Sequence, residues 1–121
     1  MLVLVVEDDS VTRSAMVRLL GMDGHEGIGA NDAESAVALM QERLPAAILL
    51  DMMLPGMCGL TFVKHLRKDR RIRSIPVIGY SAVATLKGAA LEAGVDAFLV
   101  KGTTDWVELI GTINALTESV A

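Results

Sequence analysis

Short aliphatic runs recur along this chain, each the length of a strand and each followed by a stretch with apolar residues at helical spacing. Residues 2–6, 46–50 and 75–80 are the strongest runs; 97–100 is shorter, and 27–30 is interrupted by Gly27 and Gly29. An apolar run without polar alternation is buried on both faces, as in a parallel sheet covered by helices. Glycine weakens a strand interior, so 27–30 is expected at a sheet edge. Strict alternation of strand and helix with short connections implies a parallel sheet with right-handed crossovers. For five strands the common doubly wound order is 2-1-3-4-5, with helices on both faces. The expected fold class is therefore α/β.

The helices are expected at five places. The first starts near Ser10, buries Ala15, Met16, Leu19 and Leu20, and ends near Gly21. The second starts at Asn31 or Asp32, with Asn31 and Glu34 resembling a capping box. Its stripe is Ala33, Ala36, Val37 and Met40, and Pro45 follows it. The third covers 59–68 and buries Leu60, Val63 and Leu66. The fourth, 83–93, is alanine-rich and carries Gly88, which makes it the least stable and the readiest to move. The fifth follows Asp105, paired with Glu108 as a cap, and buries Val107, Ile110, Ile113 and Leu116.

Bulk properties narrow the function classes. A chain of 121 residues, 52% hydrophobic and 21% charged, suits one compact domain over 1–121. Aromatics are only 3%, so aliphatic and Met side chains must fill the core. No apolar run approaches the roughly 18 residues of a membrane span, and the start lacks the basic region and length of a signal peptide. The single cysteine, Cys58, excludes an intrachain disulfide and fits a reducing cytoplasm. A net charge of −4 argues against direct nucleic-acid binding. Lys64, Arg67, Lys68, Arg70, Arg71 and Arg73 crowd together, either as a solvated helix end or as a docking patch for an acidic partner. Trp106 suits a partner surface or the core equally well.

The chemistry gathers where the strands end. Asp51 follows the third run, and Glu7-Asp8-Asp9 follows the first. In the expected order these strands are neighbours, at the switch point where open α/β sheets bind ligands. Converging carboxylates need a cation or a chemical purpose. A carboxylate can act as a nucleophile and carry a phosphoryl group. Because that group is anionic, a divalent cation held by Glu7, Asp8 and Asp51 resolves the repulsion, and Mg²⁺ prefers such oxygen ligands. Ser81 ends the fourth strand and can donate to a phosphoryl oxygen, a bond worth about 1.5–3 kcal/mol. Lys101 ends the fifth, where its ammonium can pair with Asp51. Taken singly, Asp8 or Asp9 also suits the cap of the first helix.

Four motifs in order carry a resemblance: Val6-Glu7-Asp8-Asp9, Asp51-Met52-Met53-Leu54-Pro55-Gly56-Met57-Cys58-Gly59, Tyr80-Ser81-Ala82 and Phe98-Leu99-Val100-Lys101. Ala93-Gly94-Val95-Asp96 adds to them. Over essentially its whole length the chain resembles a response-regulator receiver domain of two-component signalling. The resemblance implies a flavodoxin-like (βα)5 fold. It implies that Asp51 accepts a phosphoryl group from a sensor histidine kinase or histidine phosphotransfer protein. Asp8, Asp51 and the backbone carbonyl of Met53 would ligate Mg²⁺, with Mn²⁺ able to substitute, and Glu7 would act through water. Ser81 would be the switch hydroxyl, Lys101 the phosphoryl contact and Phe98 the switch aromatic, with Pro55 and Gly59 shaping the loop after Asp51. The surface of fourth helix, fifth strand and fifth helix would then shift toward an output domain, an effector protein or a phosphorylation-dependent dimer.

No enzymatic activity is expected beyond slow autophosphorylation and autodephosphorylation at Asp51. An aspartate-nucleophile hydrolase needs a second acid two residues after the nucleophile, and that residue is Met53. Gly102 follows Lys101 where the family commonly has proline with a cis bond. A non-proline cis bond costs roughly 2.5–4 kcal/mol, so a trans and more mobile loop is expected. Gly102 and the basic cluster support the competing reading, a docking module indifferent to phosphorylation. His25 and His65 are expected at the surface, and Cys58 in a loop or at a helix start.

Overall fold

A computed structural model describes residues 1–118; the last three of the expected domain span 1–121 lie outside the described residues. Five parallel strands, β1 (Leu2–Val6), β2 (Glu26–Ala30), β3 (Ala47–Asp51), β4 (Val77–Ser81) and β5 (Ala97–Val100), form one sheet ordered β2-β1-β3-β4-β5. Strand parity sorts the core into two layers. Leu4, Val6, Ile48, Leu50 and Phe98 point to one face, under α2 (Ala33–Glu42), α3 (Gly59–Lys68) and α4 (Lys87–Ala93). Val3, Val5, Leu49, Ile78 and Tyr80 point to the other, under α1 (Ser10–Met22) and α5 (Trp106–Glu118). The doubly wound order and the edge position of β2 stand as expected. Among the described residues no helix is long and apolar enough to cross a membrane.

The strand ends shift in a way that matters. Asp51 is the last residue of its strand rather than the residue after it, and Ser81 closes the fourth strand as expected. β4 begins at Val77 because Pro76 has no N–H to donate; its carbonyl instead accepts from Ile48.

The helices depart from expectation in phase. In α1, Ala15 is exposed and Val17 packs inward with Met16 and Leu20. In α2, Val37 is exposed and Leu39 packs inward. Its cap is Asp32, which accepts from the Ser35 N–H at 2.7 Å, while Asn31 accepts from the Ser35 hydroxyl; the Asn31–Glu34 capping box is not the one used. In α5, Asp105 does cap the Glu108 N–H, but Val107 is 80% exposed and Leu109 takes the inner place. Residues 83–93 divide into a 3-10 turn, Ala84–Leu86, and the short α4. Trp106 is half-buried against the α1/α5 core, and its indole N–H donates to Asp23 at the end of α1. His65 is exposed, whereas His25 is half-buried.

The basic cluster is not uniform. Lys64, Lys68, Arg70, Arg71 and Arg73 are exposed, but the Arg67 guanidinium turns inward. It donates to the carbonyls of Arg73, Ile75 and Gly94 and to the Asp96 carboxylate.

Candidate functional site

Parallel pairing of β1, β3, β4 and β5 delivers the carboxyl ends of all four strands to one edge of the sheet. Glu7 follows β1, Asp51 closes β3, Ser81 closes β4 and Lys101 follows β5. Glu7 and Asp51 are 1% and 3% exposed, buried far beyond what a carboxylate tolerates without partners. Those partners are present. Lys101 Nζ lies 3.1 Å from Glu7 Oε1 and 3.1 Å from Asp51 Oδ2. The Met53 N–H donates to Asp51 Oδ1 at 2.9 Å, so the loop after β3 is pinned to the carboxylate it follows.

Asp9, not Asp8, caps α1, accepting from the N–H of Thr12. The Thr12 hydroxyl, and next its N–H, hold the Asp9 carboxyl below the usual carboxylate range. Asp8 is therefore left to the cluster: carboxylate oxygens of Glu7, Asp8 and Asp51 all lie within 4.8 Å of one another. Against these three acids stands one ammonium, Lys101. Burial works against its charge, but the hydrogen bonds it donates to Glu7 and Asp51 outweigh that and raise its pKa. A hard, all-oxygen donor set with excess negative charge fits a divalent cation such as Mg²⁺.

Gly59, at the start of α3, closes the loop. Its N–H donates to the Met52 carbonyl, and a Cβ there would stand 2.6 Å from Met52 Cα, so only glycine allows this approach. Ser81 is fully buried and its hydroxyl accepts from the Val83 N–H at 3.0 Å. Phe98 is buried in the α2/α3/α4 layer, one strand over from Gly79. Gly102 has φ +88°, a conformation closed to proline, and among the described residues no peptide bond is cis.

Two contributors escaped the sequence reading. Arg13 donates to the carbonyl of Glu7 at 2.8 Å and to that of Asp8 at 3.4 Å, fixing the acidic loop from α1. Its stem crosses β2 where a Cβ on Gly29 would meet it at 2.9 Å. Tyr80 donates its hydroxyl to Glu7 Oε1 at 3.2 Å, and Lys101 Nζ sits 4.7 Å from the centre of its ring. Burial, then the charges of Glu7 and Asp51, push the Tyr80 phenol well above its ordinary range, so it is a donor. Period-2 parity along β4 could have placed Tyr80 on the α1/α5 face, but not against Glu7.

The chain is similar to known proteins in sequence and in fold. The family model described as "Response regulator receiver domain" matches residues 3–114. The phosphate regulon transcriptional regulatory protein PhoB of Escherichia coli is 35% identical over 98% of this chain, an alignment covering 52% of PhoB. The chain thus spans about half the length of the curated relatives it matches first. The sensor histidine kinase AruS of Pseudomonas aeruginosa is 42% identical over 66% of the chain and 8% of its own length. The solved receiver domain of a Francisella response regulator superposes with a TM-score of 0.89 at 29% identity, covering 99% of this chain and 98% of that one.

Proposed function

The chain belongs to the response regulator receiver domain family, and on that footing we propose that it is a phosphorylation switch whose phosphoacceptor is Asp51. The observation that carries this is the Asp51 carboxylate, buried yet clustered with Glu7 and Asp8 and held by Lys101 at 3.1 Å. An Asp51 oxygen attacks the phosphorus of a phosphohistidine on a histidine kinase or phosphotransfer protein. The P–O bond forms as the P–N bond breaks, and the departing imidazole keeps the electron pair and takes up a proton. In-line transfer of this kind asks mainly for positioning and charge neutralisation. Mg²⁺ held by Asp8, Asp51 and the Met53 carbonyl, with Glu7 through water, would supply that neutralisation when bound. Lys101 holds the Asp51 carboxylate in place before transfer and turns its ammonium to the phosphoryl oxygens afterwards.

The response starts at Ser81. Its hydroxyl accepts from the Val83 N–H, and turning the side chain to donate to the phosphoryl group pulls on that bond. The loop that follows, the turn 84–86 and α4 are thereby coupled to the chemistry, and Phe98 is already on the inner side to receive the change. Moving such an equilibrium from 1:99 to 99:1 takes about 5.5 kcal/mol, within reach of a few charged hydrogen bonds. The shifted surface is α4, β5 and α5, facing an output domain, an effector or a second copy, in the cytoplasm. Catalysis amounts to slow self-dephosphorylation at Asp51. The phosphorylation-independent docking reading loses part of its basis, because Arg67 is spent on internal carbonyls.

Incubation with Mg²⁺ and acetyl phosphate, followed by intact-mass spectrometry, tests the assignment. The expected product carries one added phosphoryl group, and Asp51→Asn carries none. An adduct that persists in Asp51→Asn overturns it.

A further inference from the structure

Tyr80 is the only tyrosine of the chain and occupies the strand position directly across from Asp51. Its carbonyl accepts from the Met52 N–H at 3.0 Å, so its backbone is tied to the residue after the phosphoacceptor. Its side chain passes to the α1/α5 face, 3% exposed, and reaches back under the acidic cluster. There, besides a 3.4 Å contact of its hydroxyl with Met16 Sδ, it touches two residues of the site. The hydroxyl donates to Glu7 Oε1, the same oxygen that Lys101 Nζ approaches at 3.1 Å, and the ring face lies beneath that ammonium.

Resting on the reading of Asp51 as phosphoacceptor, we propose that Tyr80 is a positioning residue that sets Glu7 and Lys101 relative to Asp51. Each contact answers a specific need. Glu7 is a buried carboxylate, and when Lys101 moves to a phosphoryl group Glu7 loses a charged partner; the phenol remains to satisfy it. Lys101 borders a cavity of about 320 Å³, lined also by Met16, Leu99, Trp106 and Leu109, into which a long flexible side chain could swing. The ring face attracts the ammonium and keeps it on the Asp51 side. Removing a group that orients a metal-facing carboxylate typically costs 10–100-fold in metal affinity or activity.

The test uses the chain as it stands, with Mg²⁺ alone as the first probe. Tyr80→Phe keeps the ring and removes only the hydroxyl, so a packing role predicts no change. The positioning role predicts Mg²⁺ binding weakened about tenfold by calorimetry. With acetyl phosphate it predicts a lower maximal phosphorylation rate at an unchanged half-saturating concentration. Tyr80→Leu, which removes the ring as well, should lower the rate further. An independent readout needs no variant of Tyr80: the NMR signal of its isotope-labelled Cζ should move on Glu7→Gln. Wild-type Mg²⁺ affinity and rate in Tyr80→Phe, or a Cζ signal indifferent to Glu7→Gln, overturn the proposal. If the wild-type chain gains no phosphoryl group, the Asp51 reading falls instead, while the Mg²⁺ and NMR results still decide the role of Tyr80.

Discussion

Lys101 is the residue on which the charges of this site balance. Two buried carboxylates share its ammonium, and Asp8 adds a third negative charge nearby. The sequence showed the acids, the hydroxyl and the lysine, because each falls at the carboxyl end of an apolar run. It did not show Tyr80 or Arg13, whose contacts run to Glu7 from 73 positions later and from a helix face. Lys101→Met should destabilise by about 1–3 kcal/mol, less than the loss from a fully buried pair because the lysine is partly exposed. The pH dependence has a definite sign. The folded-state pKa of Lys101 is raised above its ordinary 10.5, so its stabilisation is fully present below that value. It is lost as pH rises through the higher folded value. The gap in melting temperature between wild type and Lys101→Met should therefore be constant near neutrality and close only in strong alkali. Mg²⁺ should raise the melting temperature of Lys101→Met more than that of wild type, since it replaces the missing cation. Equal Mg²⁺ shifts in the two proteins would contradict this account of the charge balance.

At the scale of elements, strands were more legible than helices. A run buried on both faces can be recognised from its continuity alone, and its neighbours follow from crossover rules. A helix buries one stripe, and adjacent apolar residues compete for it. Ala15, Val37 and Val107 lost that competition to Val17, Leu39 and Leu109 because the docking angle of each helix on the sheet decides the phase. The looseness expected of the fourth helix from Gly88 falls on a short element: seven residues of α4, with Ala90 alone buried, entered through a 3-10 turn. Gly88→Ala tests whether this looseness is intrinsic. A Cβ there meets nothing within 4 Å, so the substitution should stabilise by about 0.5–1 kcal/mol in urea unfolding. Amide exchange across 87–93 should slow, while the rate of phosphorylation by acetyl phosphate stays the same. Faster exchange, or a loss of stability, would mean that α4 is held by contacts an alanine disturbs.

For the molecule as a whole, the basic cluster shows where local sequence stops being informative. Six cations near one another read alike, yet one of them is structural, and only the folded chain distinguishes it. Arg67 reaches the Gly94 carbonyl with Nε at 2.9 Å and with Nη2 at 2.7 Å, 27 positions away in sequence. It also takes the carbonyls of Arg73 and Ile75, and it pairs with Asp96, whose carboxylate in turn accepts the Val77 N–H. One guanidinium thus ties the end of α3 to the start of β4 and to the turn closing α4. That fastening holds the carboxyl end of α4, whereas its amino end is joined to Ser81 through the 3-10 turn 84–86. Lysine cannot reproduce a planar fork of donors, so Arg67→Lys leaves carbonyls without partners. It should cost about 2–4 kcal/mol, and exchange at Gly94 and Val95 should rise with it. Arg70→Ala, in the exposed part of the same cluster, should stay within about 0.5 kcal/mol. Guanidinium chloride unfolding of the two variants decides the matter: similar small effects would return Arg67 to the solvated surface and release α4 at both ends.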